Sequence, residues 1–492
     1  MDGQVLDAAV AVEWIEATTG FTVTEVKKQA RWRPLYFVRA MDDGGGVHEL
    51  VLRASRDPER KAKFGIAGRF TIAHEALILE ALQGSDVKVP EFYGFHEPTQ
   101  SILMGRINGT ANIQFLQDKQ FQARLKLEYF ENIARLHRLD IEKIGLTSKL
   151  APLRTDEDIA LDYLRTGEEE LTAFGPLDYP EPLLAASRAW LRRNVPAPLR
   201  GVSLVQGDSG PAQFMFDETG ITAIIDWETG HFGDPFHDLG VVRLRNLMYP
   251  MGHLTPGYRR YEEVSGFRLD PAIIKYYTVL VTTFNICAFV RQMQRPRETS
   301  GGETGRNDAS LQMIASNIRN RRALSEALLE ALDAPVPAVE VPVRAEDARF
   351  HDTLLDRLAF KHLPTAKDSL ERADLFQSFA LAESLRRQAW IGRECREGEM
   401  ADMAEALGTR ARDYMDGLRR LEELGSRGDD ASVLRVARAS AKMVTRQFML
   451  LEPIIRVDRW DDESDAEPPP RPEPHWSEQK REFGPYLPRL DF

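Results

Sequence analysis

Residues 204–216 read LVQGDSGPAQFMF, and residues 221–240 read ITAIIDWETGHFGDPFHDLG. Each stretch is an apolar run of strand character that ends in a break, and each break holds one aspartate: Asp208 in the first, Asp226 in the second. Val, Ile and Phe favour a pleated, half-buried surface, whereas Gly, Ser and Pro interrupt it. Carboxylates at the breaks of neighbouring strands would meet at one edge. An amide side chain, Gln213, follows Asp208 after a short interval.

Phosphoryl transfer asks little covalent work of a protein. It needs a carboxylate that orients, or accepts the proton of, an attacking hydroxyl, and oxygen ligands for Mg²⁺ bridging the phosphates. One aspartate facing the acceptor, one facing the metal and an amide completing the metal shell would meet these needs. Taken singly, Asp208 and Asp226 are equally well explained as turn-capping carboxylates.

The joined motif runs Gly-Asp, an amide further on, Ile-Asp-Trp-Glu, then Gly-Asp-Pro and Asp-Leu. It resembles that of the aminoglycoside-phosphotransferase-like kinases, which share the protein-kinase fold. Within them it looks most like the branch fused to, or encoded beside, acyl-CoA dehydrogenases, which phosphorylates hydroxyls on small molecules such as hydroxyacyl-CoA. The resemblance covers residues 20–330. It implies an α+β, two-lobed protein-kinase-like fold with an appended C-terminal helical region. It also implies ATP and Mg²⁺ as cofactors and transfer of the γ-phosphate to a small-molecule hydroxyl. On this basis Asp208 is the catalytic carboxylate, Asp226 the principal Mg²⁺ ligand, and Gln213 the stand-in for a metal-binding asparagine. Gln206 takes the place usually held by a histidine.

The first lobe carries further candidates. In ELVLRAS (49–55), Arg53 sits where a kinase lysine contacts phosphates, and Glu75, on a helix predicted at 70–83, is placed to pair with it. Arginine keeps the charge and grips phosphate through a planar fork. Met104 to Arg106, in SILMGRINGT (101–110), match the adenine-binding link between lobes; the plainer reading is an edge strand and a turn. QARWRPLYFV (29–38) has no glycine where a phosphate-covering loop is expected, so Arg31 and Arg33 either contact phosphates or decorate a charged strand. RKAKFGIAGR (60–69) reads as a solvated loop or a hold for an anionic substrate tail. Asp238 is expected to cap or salt-bridge, with Asp234 in the same anchoring segment. His237 is expected to make structural contacts and Trp227 to pack. Glu228 is a candidate for supporting the metal site.

Four departures accumulate: Gln213 for asparagine, Arg53 for lysine, Gln206 for histidine and the missing glycine loop. The extra methylene of Gln213 moves its amide by about one C–C bond length, and Mg²⁺ demands near-octahedral geometry. The alternative reading is therefore a pseudokinase, or a nucleotide- or metabolite-binding scaffold whose helical extension mediates protein interaction. Against it, both aspartates are present.

Composition narrows the classes. The chain has 492 residues, 28% of them charged, and a net charge of −12. That balance lacks the basic patch of a nucleic-acid binder. Cys287 and Cys395 have no metal-ligand spacing, which fits a cytoplasmic protein without a disulfide framework. The acidic opening MDGQVLDAAVAVEWIE does not predict a signal peptide. YYTVLVTTFNICAFV (276–290) is shorter than the about 20 apolar residues of a bilayer span and reads as a buried helix, so no membrane association is expected.

The expected organisation is a nucleotide-binding lobe at 1–110, a catalytic lobe at 111–335, a helical extension at 345–460 and an acidic Pro-rich tail at 461–492. Within the first lobe, a helix is expected at 5–19 and strands at 21–29, 35–41, 47–55, 87–95 and 101–107, with DDGGG (42–46) as a turn. In the second, a helix is expected at 121–140, then paired strands 202–206 and 213–226 with DETG (217–220) as the turn. APVPAVEVPV (334–343) reads as a connector. Helices follow near 346–362, 367–396, 398–424 and 429–451, and a homodimer through this extension is the expected protein partner.

Overall fold

The computed structural model describes residues 8–29, 34–55, 71–150, 155–172, 177–199, 201–294, 306–340, 349–367, 369–457 and 485–491. The chain divides into two compact units, the first made of Met1–Ala173, Val195–Val281 and Leu490–Phe492 and the second of Phe174–Asn194 and Thr282–Arg489. The first unit opens with helix α1 (Ala8–Thr19) and strands β1 (Thr22–Gln29), β2 (Leu35–Met41) and β3 (Val47–Ala54). Alternation sets the inner face: Tyr36, Val38 and Ala40 on β2 and Leu50 and Leu52 on β3 are buried with Ile15 of α1. The DDGGG stretch closes the β2–β3 hairpin, where Asp42 Oδ1 accepts the N–H groups of Gly44 and Gly46 at 2.9 and 2.8 Å.

Helix α2 (Ile72–Leu82) follows, its first turn capped by the Thr71 hydroxyl, which accepts the His74 N–H at 3.1 Å. Strands β4 (Phe92–His96) and β5 (Ser101–Gly105) complete an antiparallel sheet in the order β1-β2-β3-β5-β4. β4 starts later than the sequence predicts. Pro90 lacks a ladder donor, and the Lys88 carbonyl is taken by the Ile224 N–H at 2.7 Å.

Then come α3 (Lys119–His137), α4 (Asp156–Thr172) and α5 (Pro182–Arg193), the last belonging to the second unit. The first unit continues with β6 (Ser203–Val205), β7 (Phe214–Asp217), β8 (Gly220–Ile224), β9 (His231–Gly233), α6 (Phe236–Met248) and α7 (Thr255–Ser265). The predicted pairing of 202–206 with 213–226 is corrected. β6 pairs with β9, while β7 and β8 form their own hairpin. The run folds on itself because Asp217 Oδ1 accepts both the N–H and the hydroxyl of Thr219, at 2.8 and 2.6 Å.

Helix α8 (Pro271–Gln294) contains the division between units, Val281 on one side and Thr282 on the other. Val279, Leu280 and Phe284 are buried, and among the described residues no helix is long and apolar enough to cross a membrane. The second unit holds α9 (Arg306–Ala331), α10 (Arg349–Arg357), α11 (Ser369–Leu407), α12 (Tyr414–Gly425) and α13 (Asp430–Val457). Leu311 and Ile318 of α9, Ala380 of α11, and Val444 and Phe448 of α13 form its core. Val339 packs with Trp390, Ile391 and Met449, so this part of the Pro-spaced connector is seated on helices. The predicted break between 396 and 398 is absent. α11 runs on to Leu407 because that stretch is pinned to α13, with Asp402 paired to Arg446 and Glu405 to Lys442. The chain breaks instead at 408–413, where Asp413 caps α12. The tail at 461–476 lies outside the described residues.

Removing the Thr71 hydroxyl leaves an amide of the first turn of α2 unsatisfied. Thr71→Ala is expected to cost about 1 kcal/mol, read as a lower thermal midpoint with faster amide exchange in α2, while Thr71→Ser matches the parent. An unchanged midpoint and exchange pattern in Thr71→Ala would contradict the cap.

Candidate active site

The turn after β6 brings Asp208 forward. Gly207 has φ of +82°, and a Cβ there would lie 2.3 Å from the Thr229 carbonyl oxygen. Gly210 has φ of +141° with the Arg245 Cβ at 2.9 Å. Only glycine fits both demands. Asp238, in the first turn of α6, anchors the turn from below. Its carboxylate accepts the N–H groups of Gln206 and Gly207 at 2.8 and 2.9 Å. His137 of α3 lies between this carboxylate and the Tyr261 hydroxyl, at 3.0 and 2.8 Å. Burial opposes the Asp238 charge, but the contact with His137 and the backbone donors holds the carboxyl below its ordinary value. Asp238 is thus the anchoring carboxylate its sequence context predicts.

Asp208 is held by Arg245, whose Nη1 lies 2.8 Å from both carboxylate oxygens and whose Nε donates to the Pro211 carbonyl at 3.0 Å. The Asp208 side chain is 36% exposed, so one side of the carboxylate stays open to solvent. Desolvation pushes its carboxyl up; Arg245 works the other way, and Asp226 adds to the rise. The Gln213 amide bridges the two aspartates: its Nε2 donates to Asp208 Oδ2 and, at 3.2 Å, to Asp226 Oδ2. Asp226 follows β8 in a left-handed conformation, φ 63° and ψ 64°, which a short polar side chain tolerates better than most.

Arg53 closes the arrangement from β3. Its Nη1 donates to Glu75 Oε1 at 2.9 Å; its Nη2 donates to Asp226 Oδ1 at 2.8 Å and to Glu228 Oε2 at 3.2 Å. Burial works against the Arg53 charge, yet Glu75 and Asp226 raise its pKa above the ordinary value. Glu75 is 1% exposed. A second tie fixes the same helix, since His74 Nε2 meets the Gly230 carbonyl. The predicted set Arg53, Glu75, Asp208, Gln213 and Asp226 is therefore one contiguous group.

The remaining candidates fall as follows. Gln206 donates to the carbonyls of Ile225 and Asp226 at 2.8 and 3.3 Å, so this amide braces the Asp226 turn. Glu228 shares Arg53. Trp227 is fully buried and donates to the Ile224 carbonyl at 3.1 Å. His237 packs among Tyr163, His231 and Tyr277, and burial holds its pKa well below the ordinary value. Met104 is buried on β5 opposite Val51. The Arg106 guanidinium lies 4.0 Å over the Phe37 ring. The N–H groups of Gly105 and Arg106 are committed to Glu91 and Glu49 carbonyls, so this link offers a ligand carbonyls and side chains. Arg31, Arg33 and the basic stretch 60–69 lie outside the described residues. Arg245 and His137 escaped the sequence reading. Arg245 had a signal, since it stands two helical turns after Asp238 on one face of α6.

The donor set suits a hard divalent cation. Glu75, Asp208, Asp226 and Glu228 outnumber the guanidinium groups of Arg53 and Arg245, leaving an excess of negative charge. Carboxylates and an amide are the oxygen ligands Mg²⁺ prefers, and turning the Gln213 amide over aims its Oε1 where Nε2 now points. Among the described residues no group of three or more His, Cys, Asp or Glu is arranged to hold a metal alone. Phosphate oxygens would have to supply the other ligands.

Asp238→Asn leaves His137 and two buried amides facing a weaker acceptor, at an expected cost of about 3 kcal/mol at pH 7. The folded state keeps Asp238 ionised to lower pH than the unfolded chain does. Its stabilising contribution is complete above about pH 4 and fades as pH falls towards the depressed folded value. The gap in urea midpoint between parent and variant should hold from about pH 7 to 5 and narrow below about pH 4. A gap that widens on acidification would contradict the assignment.

Residues 35–267 match the family model described as "Phosphotransferase enzyme family". No curated protein matches the chain. Among solved structures, a Ralstonia eutropha JMP134 protein named as an aminoglycoside phosphotransferase is 18% identical, covering 65% of this chain and 98% of its own, with a TM-score of 0.48. Macrolide 2'-phosphotransferase MphH from Brachybacterium faecium is 18% identical, covering 62% and 97%, with a TM-score of 0.43. A thermostable mutant of aminoglycoside phosphotransferase APH(4)-Ia is 15% identical, covering 64% and 98%, with a TM-score of 0.45. The likeness to the phosphotransferase enzyme family thus lies in residues 35–267, which hold every residue of the candidate site.

Proposed function

We propose that this chain transfers the γ-phosphate of ATP to a hydroxyl of a small molecule. The observation that carries this reading is the Arg53 fork, which ties Glu75 of α2 to Asp226 after β8 while Gln213 ties Asp226 to Asp208. A phosphate-gripping cation, a metal-binding carboxylate and an acceptor-orienting carboxylate thus lie in consecutive contact.

In this reading Asp208 orients the acceptor hydroxyl and takes its proton; its open side is where the acceptor approaches. Arg245 fixes the direction of that carboxylate. Asp226 and Gln213 would hold Mg²⁺, which neutralises phosphate charge when bound. Arg53, braced by Glu75, positions phosphates through its planar donors. Met104 and Arg106 border the adenine, and the Arg106 side chain over Phe37 offers it a flat cationic edge. The motif resemblance favours a hydroxyacyl thioester or a catabolic alcohol over a polycationic aminoglycoside as acceptor, and the cysteine usage fits a cytoplasmic enzyme.

The test is phosphate transfer from ATP to a panel of hydroxyacyl-CoA esters and short alcohols. Asp208→Ala is expected to lose turnover by about a thousandfold while still binding ATP. Turnover that survives the substitution would remove Asp208 from the chemistry. Tight ATP binding with no transfer by the parent to any acceptor would favour a nucleotide-binding scaffold.

A further inference from the structure

Both oxygens of Asp226 are already engaged. Oδ1 accepts Arg53 Nη2 at 2.8 Å, and Oδ2 accepts Gln213 Nε2 at 3.2 Å. A guanidinium on a metal-binding carboxylate is a competitor for the metal: it supplies positive charge and occupies the oxygen that would coordinate. Arg53 does this with only half of its fork. Its other terminal nitrogen, Nη1, is held by Glu75, a residue fixed on α2 and shielded from solvent. A lysine at this position would bring a single nitrogen and could not hold Glu75 through one nitrogen while another faces Asp226 and Glu228.

We propose that Arg53 is a latch on the metal ligand: in the nucleotide-free protein it closes Asp226, and it releases Asp226 only when nucleotide phosphates draw Nη2 away. The inference rests on the phosphotransfer reading of the site. Glu75 acts as the pivot, because the Nη1 bond persists while Nη2 exchanges a carboxylate for a phosphate oxygen. Glu228 is the second resting place of Nη2 and a positioning residue. Gln213 completes the release by turning its amide, after which the oxygen that faced away points into the site. The consequence is that a divalent cation binds together with nucleotide and is rejected alone. Free carboxylates left open between turnovers would otherwise hold stray cations.

Binding of Mn²⁺, read from the loss of its free electron-paramagnetic-resonance signal, tests the latch without any need for turnover. The proteins are the full chain, Arg53→Lys and Glu228→Gln, each with and without ADP, with ADP affinity measured separately by calorimetry. Arg53→Lys is expected to tighten nucleotide-free Mn²⁺ binding by about tenfold, whereas Glu228→Gln, which removes the second resting place of Nη2 and a nearby negative charge, is expected to weaken it by less. Glu228→Gln leaves the Arg53–Glu75 pair in place, so it reads the latch even if Arg53→Lys folds poorly. Nucleotide-free Mn²⁺ affinity equal to the parent's in both variants, with ADP binding intact, would overturn the latch alone. Failure of the parent to bind ADP at all would overturn the phosphotransfer reading, and the latch with it.

Discussion

One guanidinium holds the candidate site together. Arg53 reaches from a strand of the N-terminal sheet to a helix carboxylate and to the aspartate that follows the β7–β8 hairpin. Such a group is costly to bury unless its donors are met by opposite charge, and Glu75, Asp226 and Glu228 meet them. The helix that carries Glu75 is in turn capped by Thr71 and tied through His74 to Gly230. The geometry of the two aspartates therefore depends on secondary structure distant in sequence from both.

The support beneath the site follows a second rule, that buried polar groups must be satisfied. Asp238 accepts two backbone amides of the turn that presents Asp208, and His137 and Tyr261 extend the network into α3 and α7. Gln206 braces the opposite side through the carbonyls of Ile225 and Asp226. An amide at that position is thus a working structural donor. Arg245 completes the frame by fixing the Asp208 carboxylate while leaving part of it open.

The central group of the site was legible in the sequence because it sits in short-range motifs. Asp208, Gln213 and Asp226 stand within one strand-rich stretch, and Arg53 and Glu75 fall where the resemblance to the kinase family places a phosphate-contacting residue and its partner. Arg245 was not, because its spacing from Asp238 marks a face of α6 but does not name the partner, Asp208, that it meets across 37 residues. Strand pairing failed for the same reason: β6 takes its partner from HFG at 231–233, beyond the hairpin that lies between them. The long helix α11 was cut too early because Glu-Gly at 397–398 reads as a stop, while its pairing with α13 keeps it continuous.

The central claim is that Asp226 and its neighbours bind a metal–nucleotide complex. Calorimetric titration of ATP into the intact protein and into Asp226→Ala, with and without Mg²⁺, tests it most directly. The account predicts Mg²⁺-dependent binding to the parent and its loss in Asp226→Ala. Absence of binding to the parent at millimolar ATP, or Mg²⁺-dependent binding that survives Asp226→Ala, would contradict it.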